Sequence, residues 1–272
     1  MSRLQACFQR LAGESRKALI PYVMTGDPQP GVTLPLMHAM VEAGANIIEL
    51  GAPFSDPMAD GPVIQAAAER SLKHHTSLHD VFNVARSFRE KDNQTPIVLM
   101  GYLNPVEIMG YESFARQASE SGIDGVITVD MPPEEAEDYI AALRQYQIDP
   151  IFLIAPTTTE ERMQKIAAVA SGFVYYVSLK GVTGAATLDV AGVVERVSLI
   201  RKHISLPIGV GFGINNAQAA ASVSSCADAV VVGSAIVNRM AAQKDQKVEQ
   251  TATIVRDVTE LLKSMRDAMD AK

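Results

Sequence analysis

Eight short runs of apolar and β-branched residues recur along the chain, and stretches with the periodicity of helices lie between them. The runs are mostly apolar and do not strictly alternate, which is typical of parallel strands covered on both faces. They comprise residues 19–24, 46–50, 97–102, 125–129, 151–154, 173–177, 208–211 and 229–232. Eight strands alternating with helices predict an α/β protein of the (β/α)₈ TIM barrel class.

The alternative architecture is an open, doubly wound parallel sheet. Such a sheet usually carries a GxGxxG turn after its first strand, whereas here the first strand runs into MTGDPQPG. A length of 272 residues suits one barrel, and we expect a single domain over residues 1–272. Residues 2–13 read as an extra N-terminal helix that could plug the bottom of the barrel.

The overall charge and the absence of membrane or secretion signals narrow the possible partners. A formal net charge of −7 argues against a nucleic-acid partner, which would need a clustered basic face. No apolar run is long enough to cross a membrane, and no signal peptide opens the chain. Two cysteines outside any CxxC pattern fit free thiols, so we expect a cytoplasmic protein. We expect no metal site, because His74, His75 and His79 lack companion ligands at zinc-like spacing.

Glu49 is the first candidate for chemistry. It ends the second predicted strand, where alternation places it on the inward face with Ile47, while Ile48 faces the helices. Apolar neighbours raise the pKa of a buried carboxyl group, which is the property that a general acid needs near neutral pH. The alternative is a structural ion pair with a basic residue of a neighbouring strand, but the predicted strands offer almost none.

Two further carboxylates follow in the loop APFSDPMADGP, residues 52–62. Its prolines restrict the backbone and so hold Asp56 and Asp60 in place. Either one, facing Glu49 across the mouth of the barrel, would form a carboxylate pair with separated roles. Either could instead cap the helix that begins near Gly61, and spacing does not choose between them.

Glycine-bearing segments follow the last three predicted strands: SLKGVTGA, GFGIN and VGSAIV. In such barrels the loops after the last two strands often bind phosphate through backbone N–H groups at a helix start. The candidate donors are Gly184, Gly213, Gly233 and Ser234, although glycine also serves plain turns. The small, polar run SLKGVTGAAT reads either as a mobile lid or as an ordinary flexible loop.

The run IELGAPFSDPMADGP, residues 48–62, resembles the signature of the tryptophan synthase alpha subunit family. The resemblance extends over nearly the whole chain, through YVMTGDP, LMGYLNP, VDMPPEE, SLKGVTGA, and GFGI with GSAIV. The family is a (β/α)₈-barrel lyase that cleaves indole-3-glycerol phosphate to indole and glyceraldehyde 3-phosphate in tryptophan biosynthesis. The resemblance implies no cofactor in this chain, and a partner beta subunit that carries pyridoxal phosphate in an α₂β₂ heterotetramer.

The resemblance also implies roles for individual residues. Glu49 matches the general acid–base group, Asp60 matches the second catalytic carboxylate, and Tyr175 matches an active-site tyrosine. Thr183 matches a lid threonine that engages the catalytic aspartate, and the four glycine-segment residues match the phosphate cradle. Phe212 matches a residue flanking the indole, and Tyr22 stands where many relatives have phenylalanine. Three further apolar side chains are candidates for the indole pocket, though each could be plain core: Ile64, Met100 and Ile127. The expected partner interface is Pro53, Asp56 and Pro57.

Two competing functions are kept. The first is a different phosphate-binding barrel, such as an isomerase of a phosphorylated sugar, which would share the glycine segments but need no indole-sized pocket. The second is a degenerate barrel that serves only as a regulatory subunit. The presence of Glu49, Asp60 and the cradle glycines argues against the second.

Overall fold

The computed structural model of the chain describes residues 2–178, 189–211, 213–242 and 250–271. Within these ranges nine strands alternate with twelve α-helices, and a 3₁₀ turn covers Pro30–Val32. The strands are β1 (Ala18–Met24), β2 (Ile48–Gly51), β3 (Ile97–Gly101), β4 (Gly125–Thr128), β5 (Asp149–Pro150), β6 (Phe152–Ile154), β7 (Val174–Val177), β8 (Ile208–Gly211) and β9 (Ala229–Val232). The helices are α1 (Arg3–Gly13), α2 (Thr33–Glu42), α3 (Pro62–Leu72), α4 (Leu78–Arg89), α5 (Leu103–Met109), α6 (Tyr111–Glu120), α7 (Glu137–Gln145), α8 (Glu160–Val169), α9 (Val190–His203), α10 (Ala217–Ser224), α11 (Ser234–Ala241) and α12 (Gln250–Asp270).

All strand pairs are parallel, and the order in the sheet is β5-β4-β3-β2-β1-β9-β8-β7-β6. The two end strands, β5 and β6, are consecutive in the chain and separated by Ile151 alone, so the sheet curls into a barrel. Ile151 donates its N–H to the carbonyl of Val126 (2.9 Å), which continues the ladder across this break. The predicted (β/α)₈ barrel is confirmed, with β5 and β6 together forming its fifth position.

Two strands begin two residues away from the prediction, and side-chain chemistry explains both; the other strand ends agree to within one residue. The second strand begins at Ile48 rather than residue 46, because the side-chain Oδ1 of Asn46 accepts the N–H of Leu19 at 2.9 Å in place of a backbone carbonyl. The fifth strand begins two residues early, at Asp149, and is interrupted after Pro150. Proline has no N–H to donate to a ladder, so the pairing there is incomplete.

The strands carry two apolar layers. Inward side chains such as Ile47, Val98 and Ile127 form the interior of the barrel. Outward side chains such as Ile48 and Leu50 pack under the surrounding helices. The alternation expected for the second strand is therefore confirmed, and it directs Glu49 inward.

Helix α1 closes the amino end of the barrel, as the sequence predicts. Ser2 caps it by accepting the N–H of Gln5 at 3.2 Å. The ring of Phe8, on this helix, lies 5.8 Å from the ring of Phe173, measured between centroids. Its other buried side chains, which pack on the interior strand residues, are Leu4, Cys7 and Leu11. With the amino end filled, the carboxyl ends of the strands remain as the place for a site.

No helix in the described ranges is long and apolar enough to span a membrane.

Candidate active site

Glu49 lies near the carboxyl end of β2, beside Tyr22 of β1 in the register of the sheet. Its side chain is 2% exposed. Among the described residues no lysine, arginine or histidine forms an ion pair with it, so the structural alternative of a paired glutamate finds no support.

Burial without a cationic partner raises the pKa of Glu49 to about 8, and the negative charge of Asp60 adds to the increase. Desolvation disfavours the charged carboxylate, and a nearby like charge acts in the same direction. Glu49 is therefore an uncharged acid at neutral pH, which is the state from which it can donate a proton.

Asp60, rather than Asp56, is the carboxylate that approaches Glu49. Burial raises the pKa of Asp60 to about 6, while a hydrogen bond from the Tyr102 hydroxyl opposes that increase. Asp56 is exposed and accepts a hydrogen bond from the Ser55 hydroxyl at 2.6 Å. The N-cap of α3 is Gly61, without a side-chain cap, so Asp60 does not serve the helix. At pH 7 the site thus pairs a neutral Glu49 with an ionised Asp60.

Tyr175 and Tyr22 flank this pair, and each ring lies across a glycine at the end of a neighbouring strand. A Cβ added to Gly51 would come within 2.3 Å of the Tyr22 hydroxyl, and one added to Gly211 would come equally close to the Tyr175 hydroxyl. Both tyrosine pKa values are raised well above the usual value, first by burial and further by the charge of Glu49. Both phenols therefore lie within electrostatic reach of Glu49.

The apolar candidates fall into two neighbouring groups. Tyr22, Ile64 and Met100 belong to a cluster at the carboxyl end of the barrel, with the first turns of α3. Ile127 belongs to the interior cluster below, where Met100 and Tyr175 also make contacts. Met100 joins the two groups, and together they form an apolar wall beside the carboxylates.

The described glycine-segment residues lie on the same rim. Gly213 follows β8 and has a φ of +75°, a left-handed conformation that favours glycine. Gly233 is the N-cap of α11 and Ser234 is its first residue, so the N-terminus of this eight-residue helix opens onto the rim. A Cβ at Gly233 would lie 3.8 Å from the Cβ of Tyr22, which places the start of α11 next to the apolar wall.

Three predicted site residues lie outside the described part of the chain: Thr183, Gly184 and Phe212. Their expected roles in the lid, the phosphate cradle and the indole pocket stay predictions.

The loop that carries Asp60 also presents an outer surface. Pro53 is buried, Pro57 is half-buried and Asp56 is exposed. Two large apolar side chains are well exposed: Met58 of this loop is 79% exposed, and Ile108 of α5 is 82% exposed. Where exposed apolar side chains form a contiguous patch, they mark a protein-binding surface. We call these five residues the docking rim.

Tyr102 was missed by the sequence analysis. It follows β3 directly, 4% exposed, and its hydroxyl accepts the N–H of Ala59 at 3.1 Å. Its position in LMGYLNP, at the carboxyl end of a barrel strand, is the signal that could have identified it. No group of three potential metal ligands occurs among the residues that the structure describes.

Comparison with known proteins identifies the family of the chain. The family model described as "Tryptophan synthase alpha chain" matches residues 8–269. The tryptophan synthase alpha chain of Thioalkalivibrio sulfidiphilus is 62% identical over 270 residues, 99% of this chain and 100% of the relative. That of Nitrosococcus oceani is 57% identical over 100% of this chain and 98% of the relative.

Solved structures match over the same extent. The crystal structure of tryptophan synthase subunit alpha from Legionella pneumophila superposes with a TM-score of 0.91 at 42% identity, covering 99% of both chains. A chain of tryptophan synthase from M. tuberculosis, in its aminoacrylate-bound form, gives a TM-score of 0.86 at 32% identity, covering 99% of this chain and 100% of that one. The chain therefore belongs to the tryptophan synthase alpha chain family, the lyases that cleave indole-3-glycerol phosphate to indole and glyceraldehyde 3-phosphate in tryptophan biosynthesis.

Proposed function

We propose that Glu49 and Asp60 divide the acid–base work of this cleavage. The observation that carries the proposal is the separation of their pKa values, about 8 for Glu49 and about 6 for Asp60, within one buried site. Titratable pairs whose environments push their pKa values apart are typical of acid–base catalysis.

The first step is proton donation by Glu49 to ring carbon 3 of the indole. The bond from this carbon to C3′ of the glycerol chain cannot break while the ring is aromatic, because the ring offers no place for the electron pair. Protonation produces an indoleninium cation that can accept the pair. Asp60, ionised, accepts a hydrogen bond from the ring N–H and stabilises this cation.

The second step returns the proton. The bond between ring carbon 3 and C3′ breaks, its electron pair restores the aromatic indole, and the C3′ hydroxyl loses its proton as the aldehyde forms. Glu49, now a carboxylate, takes that proton and is restored to its starting state. Tyr175 lies close enough to Glu49 to be part of this site, and we propose it as a third active-site residue.

The remaining predicted residues bind and orient the substrate in this proposal. Backbone N–H groups at Gly213, Gly233 and Ser234 suit the phosphate, because a helix N-terminus favours an anion. Tyr22, Ile64, Met100 and Ile127 suit the flat apolar ring. Binding energy from the distant phosphate then holds the ring against the two carboxylates.

Incubation of the purified chain with indole-3-glycerol phosphate tests the proposal directly. We expect indole and glyceraldehyde 3-phosphate in equal amounts. An isomerase of a phosphorylated sugar would release no indole, and a purely regulatory barrel would leave the substrate intact with or without its partner.

The two pKa values predict a bell-shaped pH profile. Activity requires Asp60 ionised and Glu49 protonated, so kcat should rise as pH passes about 6 and fall as pH passes about 8. In Asp60→Asn the acidic limb should vanish from the residual activity. The alkaline limb should move to lower pH, because the charge of Asp60 is one cause of the raised pKa of Glu49. An acidic limb unchanged in Asp60→Asn would show that another group, such as the substrate phosphate, is responsible for it.

We also propose that the docking rim binds a tryptophan synthase beta subunit in an α₂β₂ complex. The support is family membership together with two exposed apolar side chains, that of Met58 in the loop of Asp56 and Pro57 and that of Ile108 on α5. Pyridoxal phosphate is proposed for that partner alone, since the steps above use only side chains of this chain.

We further propose that residues 1–272 fold as one domain. The two free cysteines, Cys7 and Cys226, suit a cytoplasmic location.

Met58→Asp should weaken binding of the beta subunit by at least roughly 30-fold in Kd, because burying an unpaired charge at the centre of an interface is costly. Titration of the beta subunit into the variant, followed by calorimetry, measures this. The matched control is Val194→Asp, which alters another exposed apolar side chain, on α9, and should leave Kd within about twofold. Equal weakening by both variants would remove the docking rim from the interface.

A further inference from the structure

Tyr102 connects the loop that bears Asp60 to the third strand of the barrel. It is the first residue after β3 and the N-cap of α5. The helix that it begins is held at its first residue, since Leu103 donates its N–H to Oδ1 of Asp130 at 2.7 Å. The backbone of Tyr102 is therefore anchored between the ends of β3 and β4.

The ring of Tyr102 is held as firmly as its backbone. It stacks on the ring of Phe54, with centroids 5.1 Å apart and planes inclined by 26°. Phe54 belongs to the same loop as Asp60, so the stack joins this loop to the anchored backbone at the end of β3. An aromatic pair of this geometry adds stability beyond the area that it buries.

The hydroxyl group makes the decisive contact. It accepts the N–H of Ala59, the residue immediately before Asp60. A phenol that accepts one hydrogen bond still has its own proton to donate. The pKa of Tyr102 is raised to about 12, so that proton is present at every pH at which the enzyme would work. Its acceptor is the carboxylate of Asp60, whose pKa this hydrogen bond lowers.

We propose that Tyr102 is a positioning residue that aims the Asp60 carboxylate at the substrate through its one hydroxyl, which accepts the N–H of Ala59 and donates its own proton to Asp60. The inference rests on the proposed role of Asp60. In this proposal Tyr102 acts through Asp60 and not on the substrate directly.

None of the other described groups near Asp60 supplies a positive charge to it. Glu49 on β2 is a carboxyl group. Tyr22 on β1 is a buried phenol, and the charge of Asp60 raises its pKa. Asp130, after β4, adds a second negative charge near the Tyr102 hydroxyl. No described cation forms an ion pair with Asp60, so the Tyr102 hydroxyl is the group that opposes its protonation.

Tyr102→Phe tests the inference, because it removes the hydroxyl and keeps the ring on Phe54. We expect kcat to fall about tenfold with KM within about twofold, since a lost hydrogen bond to a charged group acts on the reacting state. The acidic limb of the pH profile should move upward by about one unit, because the ionised form of Asp60 loses its donor. Loss of packing alone would not move that limb.

The control is Tyr139→Phe, which removes another buried hydroxyl, one that pairs with the Thr128 hydroxyl at 2.8 Å. It should leave the acidic limb in place even if it lowers the melting temperature. In the double variant Tyr102→Phe with Asp60→Asn, the tyrosine change should have almost no further effect on kcat.

The outcomes separate the two proposals. If Asp60→Asn keeps full activity, the proposed role of Asp60 fails. If Asp60→Asn is impaired but Tyr102→Phe shifts no limb, or the two effects multiply independently, the positioning role of Tyr102 is overturned and the catalytic roles stand.

Discussion

Replacement of Glu49 with glutamine is expected to lower the rate of indole formation by roughly 10²–10⁴-fold, the range that a positioned general acid contributes. Glutamine keeps the size of the side chain and can form hydrogen bonds, but it has no proton to give to the ring carbon. Substrate binding should persist, because the phosphate and the ring contact other residues. Steady-state kinetics of indole release, with substrate affinity measured separately by calorimetry, test this result.

The matched control is Glu69→Gln on α3, an exposed glutamate a few turns from the site. It should keep kcat within about twofold, as surface changes away from a site usually do. Loss of a general acid should leave far less than a tenth of the activity. If Glu49→Gln keeps more than about a tenth of the activity of the unaltered chain, Glu49 is not the proton donor.

The same variant should be more stable than the unaltered chain at alkaline pH. Glu49 has a pKa of about 8 in the folded chain against 4.5 as the ordinary value, so the folded state holds this proton where the unfolded state has lost it. Stability from this group is intact below pH 4.5 and declines as pH rises toward 8. The difference of about 3.5 units corresponds to a loss of up to roughly 5 kcal/mol above pH 8.

Glutamine does not titrate, so Glu49→Gln escapes that loss. Urea unfolding at several pH values between 5 and 9 should show the gain of the variant growing with pH. Glu69→Gln should show no such trend, because an exposed carboxyl group has a similar environment in both states. A gain that stays flat across this range would mean that Glu49 is not held neutral in the folded chain. A gain in stability with a loss of rate would also exclude misfolding as the cause of the lost activity.

Much of the fold was predictable because its signals are local. Each predicted strand is a mostly apolar run, and the count of eight such runs leads to a barrel. The division of the fifth strand was not predictable from apolarity, since it depends on how Pro150 and Ile151 meet the neighbouring strands. The late start of β2 likewise depends on a contact between Asn46 and Leu19, far apart in the chain.

The site was predictable in part for a similar reason. Strand periodicity alone points Glu49 inward, so its burial could be anticipated. The choice between Asp56 and Asp60 could not be made from spacing, because both follow a proline-rich turn. Only the folded loop shows Asp60 half-buried near Glu49 and Asp56 exposed. Tyr102 escaped notice because its role comes from a contact with Ala59, which no periodicity encodes.

The protonation state of Glu49 is the claim on which the mechanism depends, and infrared difference spectroscopy measures it directly. A protonated carboxylic acid has a carbonyl stretch at a higher frequency than the bands of a carboxylate or of a glutamine amide, so the spectrum of the unaltered chain minus that of Glu49→Gln isolates this group. We predict a band present at pH 7 that disappears with a midpoint near pH 8. A band already absent at pH 7, with a midpoint near the ordinary value of 4.5, would contradict the account.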